Sequence, residues 1–134
     1  TKVKEAPSLL AEVTVGKSEP LNALAFCSDT TIVTAGIDRV LYFFDIEGRS
    51  SMLPTQKLGG GVVGHTRRVT CTCAHPYSPD VVFTTGQDGR VLLWDLRDGA
   101  GKPLTVAEGF EFDGDAMNVS AGGDTLLIGS KEYG

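Results

Sequence analysis

The sequence predicts an all-β fold of short antiparallel strands, in sheets that are covered on both sides. Three observations predict it. The apolar runs are brief, and Gly, Asp, Ser or Pro ends them. Two of the strongest, RVLYFFDI at 39–46 and RVLLWDL at 90–96, show almost no alternation between apolar and polar positions. A stretch near residue 40 also recurs fifty residues later.

The runs are Leu9–Val15, Leu21–Cys27, Thr31–Ala35, Val40–Ile46, Val69–Ala74, Val81–Thr85, Val91–Leu96, Met117–Ala121 and Thr125–Ile128. Each is rich in Val, Leu, Ile, Thr or Phe, which suit a pleated and half-buried surface. All fall short of an ordinary helix, so their regular spacing predicts strands. A strand that is apolar on both faces needs material against both sides of its sheet, as in stacked sheets. The stretches Glu47–Gly61, which contains Gly, Ser and Pro, and Asp98–Pro103 read as connections.

The internal repeat is the most specific signal. Thr34, Gly36, Asp38, Phe44 and Asp45 match Thr84, Gly86, Asp88, Trp94 and Asp95 at a constant offset of 50. Aligning Val40 with Val91 requires a one-place shift just past the turn, where Arg39 stands for Gly89. A third, weaker copy of the opening strands runs from Val119 to Ser130.

With Gly64-His65 at its start, Asp88-Gly89 at its turn and Trp94-Asp95 at its end, the second copy resembles a WD40 repeat. The resemblance spans Leu9 to Ser130, strongest in this copy and weakest in the third. It implies a partial WD40-type β-propeller of four-stranded antiparallel blades, part of a seven-bladed ring. It divides the chain into the end of a preceding blade (1–15), a first blade (16–63), a second (64–109) and the start of a third (110–134). It further implies a buried hydrogen-bonded chain of His65, Thr84, Asp88 and Trp94, with a scaffold role and no active site. A fully satisfied network of that kind stiffens a blade. In the first copy Lys17 or Ser18 stands where the histidine would be, and Phe44 replaces the tryptophan. That blade is expected to hold by apolar packing alone.

Length sharpens the expectation. A seven-bladed ring at roughly 43 residues per repeat needs about 300 residues, and this chain has 134, opening on Thr1 rather than Met. It is expected to be a piece of a longer polypeptide or to complete its ring with another chain, since each repeat buries its faces only against neighbours.

Composition removes several function classes. A net charge of −5 and one basic pair, Arg67-Arg68, argue against nucleic acid as the main partner. No apolar run has the 18 or so residues of a membrane span, and no signal peptide is visible. Cys27, Cys71 and Cys73, odd in number and inside apolar runs, point to buried thiols in a reducing compartment, the cytosol or nucleus.

Other motifs carry little chemistry. Cys71, Cys73 and His75 alternate along one strand and could present a zinc-ligand set with His65 nearby, but small buried side chains are the simpler reading. Gly59-Gly60-Gly61 lacks the Lys-Ser/Thr of a phosphate loop. Asp113-Gly114-Asp115 lacks the further carboxylates of a calcium loop, and the sequon at Asn118 falls on a predicted strand. No serine sits in a strained elbow with a base beside it. Neither a cofactor, nor a bound metal, nor a catalytic residue is expected.

The expectation is therefore a non-catalytic scaffold binding peptides or partner domains. By the resemblance, contacts lie where the turns between second and third strands emerge: Pro20, Asn22 and Ile37 in the first copy, and Arg68, Thr70 and Gln87 in the second. The alternative is a substrate-recruiting subunit of a ligase or methyltransferase complex. A metal-binding or hydrolytic propeller using Cys71, Cys73 and His75 comes last.

Overall fold

The structure, a computed structural model, describes residues 20–47, 53–109 and 115–129. Ten strands follow in order among them: β1 Leu21–Phe26, β2 Thr31–Gly36, β3 Val40–Asp45, β4 Gln56–Gly59, β5 Val69–Ala74, β6 Val81–Gly86, β7 Val91–Asp95, β8 Leu104–Ala107, β9 Ala116–Val119 and β10 Leu126–Gly129. β1 to β4 form one antiparallel sheet in sequence order and β5 to β8 form a second. β9 and β10 pair as a third. The run at Leu9–Val15, with Lys17 and Ser18, lies outside the described residues.

The two four-stranded sheets are copies in register as well as in sequence. Thr34 pairs Tyr42 where Thr84 pairs Leu92, and Ile32 pairs Phe44 where Val82 pairs Trp94. The offset of 50 thus runs unbroken through the turn, and Val40 answers to Arg90. The one-place shift at the valines is not needed. The turns match because Arg39 adopts a φ of 66° and Gly89 one of 71°. Each turn is closed by a backbone bond to the glycine three residues earlier. Both first strands also bulge at the same place, after Leu21 and after Val69.

The cores lie between the sheets. Val33, Ala35, Leu41, Phe43 and Leu58 of the first sheet meet Val69, Val82, Leu92 and Trp94 of the second. On its other face the second sheet sets Cys73, Phe83 and Val91 against Met117, with Val119, Leu126 and Ile128 at the edge. RVLLWDL is apolar on both faces because both faces are covered. Burying a large side chain such as Trp94 or Phe43 contributes about 1.5–3 kcal/mol relative to exposure.

The outer strands were not legible as strands. Gln56–Gly59 falls inside a stretch that reads as a connection, and Leu104–Ala107 in no apolar run. Each has one paired edge and little burial, so hydrophobic patterning does not mark it. Among the described residues no helix is long and apolar enough to cross a membrane.

Candidate partner-binding end and its buried polar support

The second sheet holds a polar chain in its interior. His65, just before β5, is 1% exposed and Thr84 is fully buried. Nδ1 of His65 stands 3.0 and 3.1 Å from the two carboxylate oxygens of Asp88, so that nitrogen carries the proton and donates. Nε2 then accepts from the Thr84 hydroxyl at 2.8 Å. Thr84 Oγ1 in turn accepts the indole N–H of Trp94, also at 2.8 Å. Each member has a partner, and the direction of every proton follows from the carboxylate at one end.

Asp88 is the hub. Besides His65 it accepts the backbone N–H groups of Thr66 and Arg90 and the guanidinium of Arg90, whose Nη2 also donates to the Gly64 carbonyl. Burial pushes its carboxyl up, but the Thr66 N–H, His65 and Arg90 together hold it below the usual range. Burial dominates at His65 and lowers its pKa in spite of Asp88. The imidazole is therefore neutral and aimed inward, unsuited to general base catalysis on an outside substrate. One glycine makes room for the imidazole and another for the indole. A Cβ on Gly86 would stand 2.7 Å from His65 Nδ1, and one on Gly64 (φ 96°) 2.7 Å from the Trp94 ring.

The first sheet departs from this arrangement. Phe44 replaces the indole, and among the described residues Thr34 Oγ1 is buried without a hydrogen-bond partner. Asp38 is not idle: it accepts the Tyr42 hydroxyl and the Val40 N–H. The expectation that this sheet holds by apolar packing alone is thus corrected. Tyr42 reaches the turn aspartate from β3 and anchors it there.

The six residues singled out for partner contact lie at one end of the two sheets. The Pro20 carbonyl accepts the Ile37 N–H at 3.4 Å, and the Arg68 carbonyl accepts the Gln87 N–H at 3.1 Å, so the same closure occurs in both copies. Pro20, Asn22, Ile37 and Arg68 are exposed, while Gln87 is half-buried. Thr70 is turned inward onto the carbonyl and hydroxyl of Thr85. Sequence reasoning missed two apolar residues at this end, Leu21, 41% exposed, and Val62, fully exposed. Leu21 starts an apolar run that reads as core, and Val62 sits among glycines that read as linker.

Cys71, Cys73, His75 and His65 do not converge. The cysteines join the core against the third sheet, whereas His65 faces the first. Burial pushes the Cys73 thiol up to about 12 and that of Cys71 upward too. His75 accepts the Tyr77 N–H at Nδ1 and so donates from Nε2 to the Gly123 carbonyl. Among the described residues no group of His, Cys, Asp and Glu is arranged to hold a metal ion. Asp113 and Gly114 lie outside the described residues.

Comparison with known proteins matches part of the chain to a described family. The family described as WD domain, G-beta repeat matches residues 56–95. That span takes β4 from the first sheet and β5, β6 and β7 from the second. WD repeat-containing protein 37 of Mus musculus is 31% identical over 75% of this chain, which spans 18% of that protein. Histone acetyltransferase type B subunit 2 of Candida glabrata is 29% identical over 63% of this chain and 19% of its own length. The chain spans about a fifth of the curated relatives it matches. Among solved structures, the RRP9 WD40 repeats superpose with a TM-score of 0.63 at 16% identity, covering 82% of this chain and 34% of that one. The chain carries a WD40 repeat and folds as part of a WD40-type β-propeller.

Proposed function

We propose that the chain is a non-catalytic protein-interaction scaffold, with its contacts at the end that carries Pro20, Asn22, Ile37, Arg68, Thr70 and Gln87. One observation carries this reading. Exposed Leu21, Ile37 and Val62 surround the tips of two sheets, the second of which has its buried polar chain engaged throughout, from Asp88 and His65 to Thr84 and Trp94. A rigid frame presenting apolar side chains suits partner binding, where a few anchors supply most of the affinity. Partners on this reading are peptides or folded domains, together with the further blades of a closed ring, in the cytosol or nucleus. The blade limits 16–63 and 64–109 belong to the same proposal.

The test is affinity capture with the intact protein against Ile37→Asp and Arg68→Glu variants. Loss of captured partners with an unchanged melting temperature is expected. Full capture by both variants would move the contact surface elsewhere.

A second reading, a substrate-recruiting subunit of an enzyme complex, is favoured by one relative whose name marks it as an acetyltransferase subunit. Co-purification of a catalytic chain that loses its substrate with the Ile37→Asp variant supports that reading over a plain scaffold.

A further inference from the structure

At the opposite end, where β1 turns into β2 and β5 leaves its sheet, a cleft of about 390 Å³ opens between the two sheets. Its lining comes from Phe26, Cys27, Ser28 and Asp29 on one side and Ala74, His75 and Pro76 on the other. We infer that this cleft binds the side chain of a lysine or arginine presented by a partner peptide.

The lining itself argues for that class of ligand. Phe26, Ala74, Pro76 and the Cys27 thiol make about half of its surface apolar, and the side-chain polar groups of Ser28 and His75 are already spent. Ser28 Oγ accepts the N–H groups of Thr30 and Thr31. Both ring nitrogens of His75 are bonded, to Tyr77 and Gly123. Cys27 is held as a thiol by burial and by Asp80, with its pKa pushed up to about 11, so it offers neither charge nor a ready nucleophile.

Asp29 is different. It is exposed at the mouth and, among the described residues, bonds to nothing. A cleft with one apolar wall and a carboxylate at its mouth complements a long aliphatic stem that ends in a cation. Phe26, 61% exposed, adds an aromatic face to the same opening. The surroundings favour a cation as well. Connections at this end carry Asp45, Glu47, Asp80 and Asp98 against two described cations, Lys102 and Arg97, the latter bonded to Asp95 and 4.0 Å from Asp80. An acidic or purely apolar ligand leaves Asp29 repelled or unpaired.

The experiment titrates the intact protein with nine-residue peptides of glycine and serine around one central residue, read by amide chemical shifts and fluorescence polarisation. The central residue is lysine, arginine, acetyl-lysine or norleucine, the last keeping the stem without the charge. Lysine and arginine peptides are expected to shift the amides of Ser28, Asp29, Ala74 and His75. Acetyl-lysine and norleucine are expected to bind at least about tenfold more weakly, as is the lysine peptide to Asp29→Asn. Because Asp29 bonds to nothing among the described residues, that variant is expected to keep the parent spectrum elsewhere. Equal binding of norleucine, an unchanged affinity in Asp29→Asn, shifts confined to the other end, or no binding at millimolar peptide each overturns the inference.

Discussion

The indole N–H of Trp94 ends on the hydroxyl of Thr84, 2.8 Å away, and the same hydroxyl satisfies His65. One methyl-sized group thus holds two large rings in place. Replacing it with Val keeps the shape and orphans two buried nitrogens. Thr84→Val is expected to lower stability by about 2–6 kcal/mol, since each of the two unsatisfied buried groups costs about 1–3 kcal/mol. Urea unfolding of the two proteins measures it.

The mirror experiment runs the other way. Thr34 occupies the matching place in the first sheet, and its buried hydroxyl has no partner among the described residues. Thr34→Val removes a desolvated group that gains nothing in return. Stability is expected to rise by about 1 kcal/mol. A loss comparable to that of Thr84→Val would show that the hydroxyl has a partner after all.

Acidity should weaken the second sheet. The folded His65 pKa lies below its ordinary 6.5, so the unfolded chain binds the proton more readily. The stability this group contributes is full above about pH 6.5 and is lost as pH falls below it. Asp88, whose carboxyl is also held low, adds a further loss at more acid pH. Unfolding free energies between about pH 7 and about pH 5 should therefore fall for the parent protein. The fall should be shallower in His65→Gln.

Backbone geometry gives a pair of opposed substitutions. Arg39 takes a left-handed φ of 66° that glycine adopts freely, and Gly89 fills the matching place. Arg39→Gly is expected to stabilise by about 0.5–1 kcal/mol. Gly64→Ala drives a Cβ into the Trp94 ring from a positive φ and is expected to cost about 2 kcal/mol or more. Thermal melts of both variants give the two signs.

What the sequence made legible follows from how strongly each residue constrains its surroundings. Gly64-His65, Asp88-Gly89 and Trp94-Asp95 are types that few other settings require together, so they mark the second copy plainly. β3 and β7 were readable because both of their faces are covered. β4 and β8 were not, because an outer strand with little burial takes almost any residue. The Tyr42 bond to Asp38 escaped because a tyrosine in an apolar run reads as core until its register is known. The cleft beside Asp29 joins residues almost fifty positions apart and could be seen only once β1 lay against β5.

The matched repeat begins on β4, a strand that hydrogen-bonds into the preceding sheet, and then supplies three strands to the next. Unit of inheritance and unit of folding are therefore out of phase. Any gene duplication that copies one such module also copies a staple, because the newcomer must lend its leading strand to the module before it. An array grown in this way arrives already stitched, each module reaching across the seam to its neighbour.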